Sequence, residues 1–77
     1  MKDSDALELE VARIVSGILR VDVGVDASRL NVPGWDSLRH VEILFAVEEA
    51  YGVTLDEAEM AALDSVKSLA RRVSMPR

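Results

Sequence analysis

The sequence predicts an all-α fold: a small four-helix bundle, three main helices plus a short third helix, with a long loop between helices 1 and 2. Three observations carry this. Apolar residues recur at helical spacing in several segments. Capping signals or a glycine mark the segment ends. The one alternating run, Val21, Val23 and Val25, has no partner strand elsewhere, and a lone strand is unstable. With 77 residues, 49% of them apolar, the chain is expected to form one domain spanning 1–77. A core of that size supplies no more than about 3–5 kcal/mol, so caps and packing matter.

The first helix is expected over residues 5–19, where Leu7, Val11, Ile14, Val15 and Ile18 form one buried stripe. Asp5 with Glu8 resembles a capping pair at its start. Residues 20–36 keep no helical period and are read as a loop pinned by Val25, Leu30 and Val32. A loop this long in a compact domain counts either against the assignment or for a function. The second helix runs over 37–51 and ends at Gly52, a residue suited to a left-handed C-cap. Thr54 and Glu57 have the spacing of a capping box for a short third helix over 57–62. Asp64 or Ser65 caps the last helix, whose Val66, Leu69, Ala70 and Val73 keep the helical spacing. Arg71 and Arg72 suit its C-terminal dipole.

Composition excludes several classes. With no cysteine, the chain has no disulfide, thiolate nucleophile or cysteine zinc site, and its one histidine leaves no metal site in view. No run approaches the roughly 20 apolar residues of a membrane helix, and the acidic start MKDSDALELE lacks the apolar core of a signal peptide. A cytoplasmic protein is expected. Net charge is −5, and residues 42–64 hold seven acids with no Lys or Arg. Such a surface repels nucleic acid and suits a basic protein partner, or serves solubility alone.

The second helix carries two apolar faces. Turning about 100° per residue, Ile43, Val47, Ala50 and Tyr51 fall on one side, and Leu38, Val41 and Phe45 on the other. The first is expected to be core. The second is flanked by Glu42, Glu48 and Glu49, and burial on every side is hard to achieve in so short a chain. An apolar strip rimmed by charge has the form of a partner-docking site.

Ser37 stands where that stripe begins, after the breakers Pro33 and Gly34 and beside Asp36 and His40. Asp, Ser and His suggest a hydrolase, but the spacing defeats a triad. Asp36 and Ser37 are adjacent and project differently, and His40 would have to curl back along its own helix. The run G-W-D-S-L also lacks the G-x-S-x-G elbow. His40 is therefore expected to be a surface or half-buried ring. Asp36 or Ser37 can be the N-cap. Ser37 can also accept a phosphate ester, which helix N-terminal amides and the dipole favour.

Gly34-Trp35-Asp36-Ser37-Leu38 resembles the Asp-Ser-Leu signature of acyl carrier proteins. The four helices, the long first loop, Glu48-Glu49, Tyr51 before Gly52 and the short acidic third helix extend the resemblance over nearly the whole chain. It implies that Ser37 receives 4′-phosphopantetheine from coenzyme A, installed by a separate magnesium-dependent phosphopantetheinyl transferase that recognises Asp36. The arm's thiol would carry acyl thioesters, supplying the sulfur the chain lacks. Tethering raises the effective concentration of cargo at a docked enzyme. Partners so implied are acyl-loading and acyl-using enzymes, a ketosynthase, acyltransferase or ligase, docking on Leu38, Arg39, Val41, Glu42, Phe45 and Glu48. No catalytic activity of its own, no membrane and a monomer are expected.

Fatty-acid-synthesis members usually carry an acid after Asp-Ser-Leu. Here Arg39 reverses that charge, His40 follows, and Trp35 replaces a small residue. These features look more like freestanding carriers of polyketide or other specialised biosynthesis. Trp35 is expected to pack the loop onto the bundle. Two rivals stand beside the acyl carrier. An aminoacyl or peptidyl carrier often has another residue at the Asp36 position. A helical adaptor would use Ser37 only as a cap.

Overall fold

A computed structural model describes residues 3–74. Its elements are α1 (Asp3–Leu19), α2 (Ser37–Tyr51), α3 (Glu57–Ala62) and α4 (Val66–Ser74). No strand forms among the described residues, so the all-α bundle stands. The only β-type pairing there is an isolated antiparallel bridge, Ser28 with Ser65. No helix among these residues is long and apolar enough to cross a membrane.

The core joins all the long helices. Val11 and Val15 of α1, Ile43 and Val47 of α2, and Val66 and Leu69 of α4 are fully buried. Helix α1 packs on both α2 and α4. Leu7, Ile14 and Ile18 complete the α1 stripe as half-buried residues against that core. The start of α1 differs from expectation: Asp5 lies inside the helix, which already includes Asp3. No breaker at residues 3–5 stops the helix there.

Helix α2 has the expected bounds. Gly52 closes it at φ 65°, and its N–H bonds Glu48 O. Here glycine avoids the cost a side chain incurs in the left-handed region. Helix α3 also has the expected bounds but a different cap. Asp56 Oδ1 accepts from Glu59 N at 2.8 Å, and Glu59 Oε1 accepts from Asp56 N at 3.2 Å. Thr54 and Glu57 do not form the box. Leu55, 3% exposed, must reach the core, so the helix starts just after it, with Leu55 and Met60 at the N′ and N4 staple positions. Ser65 caps α4, its Oγ accepting from Ser68 N at 3.1 Å.

The α1–α2 loop is stitched rather than slack. Ser16 Oγ donates to Ala12 O at 2.8 Å and accepts from Val23 N at 3.0 Å, holding the loop's start to α1. Asn31 accepts from Ser28 N at 2.9 Å and donates to Asp26 O at 3.0 Å. Val66 N donates to Ala27 O and Arg29 N to Asp64 O, both at 3.0 Å, tying the loop to the start of α4. The expected pins need correcting. Val25 and Val32 pack against the core, but Leu30 is 94% exposed. Ala27 and Trp35 are the buried anchors. Ala27 is buried where the loop backbone bonds the start of α4.

Candidate functional site

The site is the start of α2. Asp36 is its N-cap, with extended backbone (φ −90°, ψ −176°), and its Oδ1 accepts from Arg39 N at 2.8 Å. Its own carbonyl accepts the first helical bond, from His40 N. Asp36 therefore does the capping, and Ser37 follows as the first helical residue with its side chain exposed. The N–H groups of Ser37 and Leu38, in the first turn, have no intrahelical acceptor.

Behind the cap, Trp35 and His40 lock this geometry. Trp35 is 2% exposed and packs as expected. His40 overturns its expectation as a surface or half-buried ring: it is 5% exposed. The Trp35 indole N–H donates to His40 Nδ1 at 3.0 Å, and His40 Nε2 lies 2.9 Å from Met60 O. An Nδ1 that accepts carries no proton, so the ring is neutral and Nε2–H donates to the Met60 carbonyl. Trp35 and His40 stand at N′ and N4 of α2, the positions of a hydrophobic staple. Here the staple is an indole–imidazole hydrogen bond with ring centroids 6.1 Å apart. Through Met60 it also ties α3 to α2.

Ser37 is not alone. Arg29, half-buried in the α1–α2 loop, donates from Nη2 to Ser37 Oγ at 3.3 Å. Helix periodicity could not have found this contact, because Arg29 lies on an aperiodic loop. A phosphate ester on Ser37 Oγ would meet a guanidinium and helix-start amides, both of which suit an anion. The residues present fit a phosphate-linked prosthetic group.

The second apolar face of α2 meets solvent: Leu38 is 67% exposed, Phe45 57% and Val41 45%. Arg39 and Glu42 pair across one turn at 2.8 Å, and the Glu42 carboxylate raises the Arg39 pKa. The charge reversal at Arg39 is thus locally neutralised. Glu48 is partly occupied, because Oε2 accepts from Leu55 N at 2.7 Å and so holds the α2–α3 loop. On the opposite face Ile43 and Val47 are core, but Ala50 is exposed. Leu44, in neither stripe by sequence, is buried. With His40 and Leu44 included, the buried arc shifts round the helix and leaves Ala50 at its edge. Tyr51 is half-buried and donates to Glu10 Oε1 at 3.0 Å. Burial, and then that bond, push its phenol up to about 12.

These features define a class: a helical bundle that presents an exposed serine at a helix start, backed by a rigid cap and beside an apolar strip. The family model described as "Phosphopantetheine attachment site" matches residues 10–73, and the chain belongs to that family of phosphopantetheine carriers. Membership implies a covalently attached phosphopantetheine. No curated protein matches the chain.

Proposed function

We propose that residues 1–77 are one acyl carrier domain without catalytic activity, carrying a 4′-phosphopantetheine arm on Ser37. The observation that carries this reading is the exposed Ser37 hydroxyl at a capped helix start, within a chain that matches the phosphopantetheine family. When attached, the group supplies a thiol on which cargo is held as a thioester. The chain's own residues do the rest. Asp36 and the Trp35–His40 staple fix the backbone at Ser37. Leu38, Val41 and Phe45 offer a strip to an enzyme, and the Arg39–Glu42 pair shapes its rim. Acids on α2 and α3, Glu49 and Glu57 among them, suit a basic partner surface. Glu48 contributes through whatever its loop contact leaves free. The neutralised charge after Asp-Ser-Leu supports partners from polyketide or other specialised biosynthesis over ordinary fatty-acid synthase enzymes.

Mass spectrometry after incubation with coenzyme A, magnesium and a broad-specificity phosphopantetheinyl transferase tests the attachment. One phosphopantetheine is expected on the wild type and none on Ser37→Ala. An unmodified wild type, or equal gain on Ser37→Ala, rules the reading out. Loading of the holo form with acyl donors, and not with amino acids activated by an adenylating ligase, separates an acyl from an aminoacyl carrier.

A further inference from the structure

We propose that Arg29 is a phosphate clamp: its guanidinium takes the phosphodiester at Ser37 and holds the base of the arm against the α1–α2 loop. The inference rests on Ser37 being the attachment point. Its first support is geometric. Arg29 Nη2 is 3.3 Å from Ser37 Oγ, the oxygen that would become the ester bridge. The non-bridging phosphate oxygens would lie two bonds from that atom, across the phosphorus, within the sweep of the same planar fork.

Its second support is charge. Three other cations, Arg39, Lys67 and Arg72, pair with Glu42, Asp26 and Glu59, and among the described cations without an ion pair only Arg29 bonds Ser37. Arg29 has no carboxylate in ion-pair reach among the described residues, and it directs its side-chain bond to a hydroxyl. A guanidinium gains most from an anion with two acceptor oxygens. The nearest carboxylate at the site, Asp36, would repel a phosphate. Its Oδ1 is held by Arg39 N, and Arg39 itself is turned to Glu42. Arg29 is left as the compensating charge.

Its third support is preorganisation. Arg29 N donates to Asp64 O, and the neighbouring Ser28 pairs with Ser65, so the loop backbone is anchored to the start of α4. Ordering the side chain costs less when its backbone is already fixed. The loop's length and its stitching then acquire a purpose beyond connection: they carry a cation across to the start of α2.

The test uses the full chain, apo and holo, as wild type, Arg29→Gln and Arg29→Lys. Mass spectrometry first establishes complete loading of each holo sample, and circular dichroism establishes folding. Phosphorus NMR of the phosphodiester and nitrogen–proton NMR of the Arg29 Nε–H are then recorded. Loading is expected to shift the Arg29 Nε–H signal and slow its solvent exchange by about tenfold or more, as one charge-assisted hydrogen bond would. Arg29→Gln should move the phosphorus resonance, and Arg29→Lys should move it less. A fully loaded wild type with an unmoved Nε–H, or a phosphorus resonance identical in wild type and Arg29→Gln, overturns the clamp alone. If Arg29→Gln fails to load, the wild-type Nε–H comparison decides. A wild type that accepts no phosphopantetheine overturns the attachment reading, and the clamp with it.

Discussion

Removing the two partners of the Trp35–His40 bond, singly and together, measures how firmly the cap holds Ser37. Trp35→Phe leaves His40 Nδ1 buried without its 3.0 Å donor. An orphaned buried group costs about 1–3 kcal/mol. His40→Leu keeps much of the volume but orphans two groups, the Trp35 N–H and the Met60 carbonyl. Met60 is half-buried, so its share falls at the low end. The sum is about 2–4 kcal/mol, most of what a core of this size supplies. The double variant orphans only the Met60 carbonyl. It should therefore be less destabilised than the sum of the singles by about 2–6 kcal/mol, because neither His40 Nδ1 nor the indole N–H is then orphaned. Urea unfolding followed by far-ultraviolet circular dichroism gives all four stabilities without relying on the sole tryptophan. Costs that add to within about 0.5 kcal/mol, or a Trp35→Phe protein as stable as wild type, would refute the staple.

Three further outcomes follow from the same structure. Phe45→Ala should cost less than about 1 kcal/mol, because the ring is 57% exposed, whereas Ile43→Ala, on the opposite face and fully buried, should cost about 2–5 kcal/mol in the same unfolding assay. Asp56→Ala should cost about 1 kcal/mol through loss of the α3 capping box, while Thr54→Ala should leave stability nearly unchanged. Tyr51 is the only tyrosine, so phenolate absorbance reports it alone; its midpoint should lie near 12 rather than 10.0 and fall partway back in Glu10→Gln. The sign follows: the folded state favours the neutral phenol, so this contribution is complete below the ordinary value of 10.0 and is lost as pH rises through about 12.

The helices are legible in the sequence where a signal is local and unopposed. Gly52 stops α2 because the chain needs a left-handed residue there, and the period of α4 marks its buried face without help. The cap of α3 is not legible, since Thr54-x-x-Glu57 and Asp56-x-x-Glu59 overlap, and both satisfy the same pattern. Burial of Leu55 chooses between them, and burial is a tertiary fact. Leu30 and Ala27 fail for a related reason. In a loop without periodicity, hydrophobicity alone ranks leucine above alanine as an anchor. Backbone bonds from the loop to the start of α4 reverse that order, burying Ala27 and leaving Leu30 outside.

The site divides in the same way. Ser37, Asp36 and the exposed face of α2 are neighbours in the chain or on one helix, so spacing alone brings them together. His40 shows where that reasoning stops. Its spacing from Ser37 first suggests chemistry, and helical geometry then dismisses it to a surface or half-buried ring. The missing piece is the pair of partners that stabilises a buried imidazole: an indole five residues before it and a carbonyl on another helix. Arg29 is further out of reach of sequence logic, because only the loop's attachment to α4 brings its guanidinium to Ser37. In this chain, the residue that would carry the arm is written locally, while the groups that hold it still are assembled from three other parts of the fold: the α1–α2 loop, α3 and the start of α4.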